Sequence, residues 1–156
     1  MTEKNAKAPL GTTISYGMPA IGAGYMYLLM SLYVMKFSTD VLLIAPAVMG
    51  AIFSISRIWD AISDPIAGYL SDRTTFKFGR RRTWMLISFV PIAFGFLAVF
   101  SPPETLQGQS LDLWMMIAIL SFYSAITLFN VPHMALGAEL SEDYHERTRL
   151  FGVRHI

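Results

Sequence analysis

The chain has 156 residues, 54% hydrophobic and 15% charged, with a formal net charge of +1 and no cysteine. Disulfides and thiolate metal sites are therefore excluded, while the net charge itself is uninformative because its signs are segregated between loops. The length would allow one soluble domain, but windows of about 20 residues with almost no charge exclude that reading and predict an all-α, multi-pass protein with the lipid bilayer as its solvent.

Residues 1–10 are a short polar tail, predicted to be cytoplasmic. The first apolar window runs from about Thr12 to Phe37. It is too long for the core of a signal peptide and no small-residue cleavage pattern follows, so it is read as a retained helix. Gly17, Pro19, Gly22 and Gly24 within it allow close packing or local unwinding. A tight loop, Thr39 to Ile44, predicts a hairpin with the second window, about Ala45 to Leu70. The third window is about Thr83 to Phe100 and the fourth about Leu113 to Leu136, separated by SPPETLQGQS, an external loop by its Pro pair and Gly. From Ser141 a charged link turns apolar near Leu150, where a fifth helix is expected to start. Pro65, Pro91 and Pro132 would damage soluble helices, yet bundled membrane helices tolerate them.

Loop charge predicts the orientation. Lys4 and Lys7, then Arg73, Lys77, Arg80, Arg81 and Arg82, then Arg147, Arg149 and Arg154 would share one side of an alternating bundle. The opposite loops hold Lys36, Asp40, Glu104 and Asp112. The positive-inside rule then places the N-terminus in the cytoplasm, and the plasma, or cell inner, membrane is the expected host. Trp84 and Trp114 fall where interfacial belts belong.

Within the second window, SISRIWDAISDP carries Arg57, Asp60 and Asp64, spaced i, i+3 and i+7 and so on one helical face. Each ionised group at mid-bilayer costs roughly 2.5–3.5 kcal/mol on insertion scales. Pairing Arg57 with Asp60 leaves one carboxylate over, which needs a proton or a metal cation. A structural ion pair locking this helix to a neighbour is the competing reading. Asp60 lies 15 positions after Ala45 and Thr127 lies 15 after Asp112, which predicts equal depths of about 22 Å. Thr127 and Asn130 would thus offer neutral oxygens beside the carboxylates, unless Thr127 bonds its own helix backbone. Pro65 and Pro132 free the carbonyls of Ala61 and Leu128, either as extra ligands or as simple kinks.

RIWDAISDP, STDV, GYLSDRTTFKFGRRR and NVPHMALGAELSEDYHERT together resemble the major facilitator superfamily. Within it they resemble the glycoside–pentoside–hexuronide:cation symporters, the melibiose permease-like family. The resemblance implies that Asp60 and Asp64 fall on the two cation-binding aspartates, Arg57 on the arginine one turn earlier and Thr127 on a hydroxyl of the same site. It implies sodium or a proton as coupling cation (sodium as metal on Asp60 and Asp64), a small-molecule carbohydrate substrate, no other cofactor, no enzymatic activity and no nucleic-acid partner. The family has twelve helices in two six-helix halves. Residues 11–156 are accordingly expected to be an incomplete N-terminal half, four transmembrane helices plus the start of a fifth, whose partner is the missing C-terminal portion.

Two positions depart from the family pattern. A sugar-binding aspartate of the first helix is Gly24 here, and one in the fourth helix is Asn130. The cation half of the site is kept and the galactoside half is not, which leaves another sugar, a glycoside, a hexuronide or an amphiphile such as a lysolipid. Arg154 is expected either to face the substrate cavity or to be a cytoplasmic anchor. Asp72, Arg73, Arg80 and Arg81 are expected to latch the cytoplasmic side, or else to meet anionic lipid head groups. The competing class is a small four-helix scaffold subunit. A membrane enzyme lacks a nucleophile–base set, and His133 is read as a packing or substrate-bonding residue.

Overall fold

The structure, a computed structural model, describes residues 10–75 and 79–140. Apolar runs of this length satisfy their backbone groups internally only as helices, and no β-strand occurs among the described residues. Helix α1 spans Leu10–Lys36 and widens into a π-turn at Phe37–Val41; α2 spans Pro46–Arg73, α3 Arg80–Phe100 and α4 Gln109–Leu140. Each of the four windows read from the sequence holds a helix, with ends that shift by up to four residues; Ala45 is the non-helical cap before α2. Pro19, Pro65, Pro91 and Pro132 lie inside uninterrupted helices. Pro46 instead opens α2, where its missing N–H costs nothing. The expected fifth helix, Arg147, Arg149 and Arg154 lie outside the described residues.

Three segments, Tyr16–Val41, Arg81–Phe100 and Gln109–Gly137, are long and apolar enough to cross a membrane. Helix α2 does not reach that hydropathy, because Arg57, Asp60 and Asp64 lie within it. Half of the α4 span is buried, against 17% of α1 and 22% of α3, which makes α4 the central helix. Its buried face, Met115, Ile119, Phe122, Ile126 and Phe129, anchors the core.

Side-chain pairs give the helix directions. Gly95 meets Phe122, and Trp114 donates to the carbonyl of Ala98, so α3 and α4 are antiparallel. Trp59 reaches Ser124, Asp64 meets Thr127 and Gly68 meets Val131, so α2 and α4 run parallel with an offset of 63 to 65 residues. Tyr16 with His133 and Tyr27 with Tyr123 make α1 antiparallel to α4. All four helices therefore alternate in direction.

One expectation fails. Helices α1 and α2 do not form a packed hairpin; they touch only lightly, and α2 packs against α4 instead. The π-turn and the extended stretch before Pro46 carry the chain away from α1. Gly22 and Gly24 neither pack closely nor unwind: α1 is continuous through both, and a Cβ added at either would meet nothing within 4 Å.

Candidate functional site

The site grows from the face of α2 that carries its charges. Asp64 accepts a hydrogen bond of 3.0 Å from the Thr127 hydroxyl of α4. Thr127 is buried and Asp64 lies on the exposed side of the described chain. Thr127 is thus level with Asp64, one turn beyond Asp60, which corrects the equal-depth reading of Asp60 and Thr127. Asp60 is 23% exposed and receives Arg57 Nη1 at 3.4 Å on Oδ2. Its Oδ1 is buried with no hydrogen-bond partner among the described residues. Ser63 binds the Asp60 carbonyl at 3.3 Å, which fixes the turn between the two acids.

Arg57 is held from three sides. Besides Asp60, its Nη1 donates to the Tyr27 hydroxyl of α1 at 3.2 Å. Its guanidinium lies 5.4 Å from the centre of the Tyr123 ring of α4. Next to it Trp59 Nε1 donates to Ser124 Oγ at 2.7 Å, and Ser124 Oγ in turn donates to the Leu120 carbonyl at 2.7 Å. Two carboxylates, one guanidinium and one hydroxyl leave a formal charge of −1. The buried, unpartnered oxygen of Asp60 and the oxygens around Asp64 are the donor chemistry that suits a proton or a hard monovalent cation.

Asn130 follows Thr127 by one turn of α4 and is half-buried. Gly24 is exposed on α1, facing open space. The basic loop is arranged differently from the carboxylate site. Arg81 donates to Asp72 at 3.3 Å and joins the end of α2 to the start of α3. Arg73 lies over the Tyr69 ring at 4.4 Å, and Arg80 opens α3. Trp84 donates to Thr74 at 3.1 Å across the same loop.

The sequence family described as MFS/sugar transport protein matches residues 15–156. The chain belongs to the MFS/sugar transport protein family. Among its relatives, an uncharacterized symporter of Synechocystis sp. is 36% identical over 92% of this chain and 27% of its own length. An isoprimeverose transporter of Lactiplantibacillus pentosus is 27% identical over 95% of the chain and 31% of its own length. A sodium-dependent lysophosphatidylcholine symporter of Danio rerio is 31% identical over 71% of the chain and 21% of its own length. The chain spans less than a third of the length of these curated relatives.

Four residues beside the charged face of this MFS/sugar transport chain escaped the sequence reading: Tyr27, Tyr123, Trp59 and Ser124. Their polar atoms at helical spacing were the available signal, but aromatic residues in apolar windows read as packing. Tyr16 escaped as well. Its hydroxyl donates to the His133 carbonyl at 3.1 Å, His133 Nε2 meets the Tyr16 carbonyl at 2.9 Å, and the rings stack at 4.2 Å. That reciprocal clasp gives fully buried His133 a packing role between α1 and α4.

Proposed function

We propose that this chain forms part of a cation-coupled symporter that imports a sugar, glycoside or hexuronide with sodium or protons by alternating access. The observation that carries the reading is the Thr127–Asp64 hydrogen bond across α2 and α4, one turn from a carboxylate whose buried oxygen has no hydrogen-bond partner among the described residues. Asp60, Asp64 and Thr127 hold the cation, and Arg57 balances charge in its absence. Cation binding neutralises the acids and secures the contact already made between α2 and α4. Asn130, one turn along α4, and α1 near Gly24 then border the substrate. A partly loaded carrier would move an uncompensated charge through an apolar bundle, so only the empty and fully loaded forms cross readily.

The N-terminus is cytoplasmic in this reading, and the Asp72–Arg81 pair latches that side between α2 and α3. The missing helices complete the pocket. Asp60→Asn or Asp64→Asn in the complete transporter is expected to abolish cation-stimulated uptake. Unchanged accumulation in either variant, under both sodium and proton gradients, overturns the mechanism.

A second substrate class has its own support. Gly24 and Asn130 withhold the carboxylates that bind sugar hydroxyls strongly, and one relative is named a lysophosphatidylcholine symporter. An uptake screen over sugars, uronides and lysolipids, with and without sodium, separates the two.

A further inference from the structure

Arg57 Nη1 is shared. The same nitrogen lies 3.2 Å from the Tyr27 hydroxyl and 3.4 Å from Asp60 Oδ2. The guanidinium meanwhile rests 5.4 Å over the Tyr123 ring, and the two tyrosine rings meet edge to face at 5.9 Å. Tyr27 belongs to α1 and Tyr123 to α4, so the cradle is built by two helices other than the one that carries the arginine. The side chain of Arg57 is 56% exposed, whereas Tyr123 is 2% exposed and packed in the core.

A guanidinium left to itself grips a carboxylate through two parallel hydrogen bonds. Here it makes one long contact, and Asp60 Oδ1 has no partner among the described residues. The tyrosine hydroxyl competes with Asp60 for Nη1, and the ring face holds the cation's other side. The arrangement keeps Arg57 close enough to screen Asp60 but off its second oxygen.

We propose that Tyr27 and Tyr123 are positioning residues that park Arg57 and thereby set the affinity of the site for its coupling cation. The inference rests on the symport reading above. With the cradle intact, an incoming cation meets an Asp60 carboxylate held by a single long contact and has only that contact to displace. With the cradle broken, Arg57 closes on both oxygens of Asp60 and must be driven off before a cation enters. The cradle therefore favours loading, and by spanning α1 and α4 it ties loading to the positions of both.

The test is uptake by the complete transporter as sodium, or pH at fixed sodium, is varied. Tyr27→Phe removes one hydroxyl and keeps the ring. It is expected to raise the half-maximal cation concentration about threefold or more, the size of one lost hydrogen bond, while substrate KM at saturating cation stays within about twofold. Tyr123→Leu is expected to act in the same direction, and Tyr123→Phe, which keeps the ring face, to behave as wild type. In an Arg57→Gln background Tyr27→Phe should have no further effect on cation dependence, since nothing remains to park. That non-additivity separates the proposal from simple packing damage, which would persist without the arginine. Unchanged cation dependence in Tyr27→Phe and Tyr123→Leu, with wild-type uptake still cation-stimulated, overturns the cradle alone. Wild-type uptake indifferent to every cation overturns the symport reading and the cradle with it.

Discussion

Thr127 joins two helices through one hydroxyl, and its depth was legible only in part. Spacing put Arg57, Asp60 and Asp64 on a common face, as they are. Counting inward from the loops, however, paired Thr127 with Asp60, 67 residues earlier, whereas the helices pack at an offset of 63. The slip is about one turn, and a slip of one turn returns the same face, so periodicity could not detect it. Thr127→Val keeps the shape and removes the donor to Asp64. A hydrogen bond to a charged group contributes about 1.5–3 kcal/mol, so the variant is expected to need about tenfold more cation for half-maximal uptake. Thr127→Ser should retain near wild-type dependence, and cation titration of uptake checks both.

Among the elements, helix existence was readable, and helix ends to within about four residues, because long uncharged windows leave the backbone few other options. Partner choice was not, since an apolar stripe marks a face to bury without naming what buries it. The tight loop after α1 suggested a hairpin, yet α2 packs against α4. The α3–α4 contact turns on Gly95, where a Cβ would come within 2.9 Å of the Phe122 Cα. Backbone cannot yield as a flexible side chain does, so Gly95→Val forces the helices apart. Overpacking of this kind costs about 1–3 kcal/mol. A thermal melt of the purified complete transporter is expected to show a lowered Tm for Gly95→Val and none of that loss for Gly50→Ala, whose added Cβ meets nothing within 4 Å.

Across the whole molecule, alternation of the helices puts the loop between α2 and α3 and the loop between α3 and α4 at opposite ends. Charge gives those ends their expected sides: Arg73, Arg81 and Arg82 at one, Glu104 and Asp112 at the other. These 156 residues contain no cysteine, so in a complete transporter with any other cysteines replaced, a single introduced thiol reports its own position. Glu104→Cys is expected to react with an impermeant maleimide added to intact cells, and Thr75→Cys only after permeabilisation. The reverse pattern would invert the orientation. Alternation could be inferred from four successive windows; the sides rest on loop charge.

The open position at Gly24 has a corollary. Any side chain can be tried there without rebuilding the bundle, while Asp64 and Thr127 are knitted into a contact between helices. On the symport reading proposed above, a change of side chain at Gly24 would alter what the carrier accepts while leaving the Asp64–Thr127 contact in place.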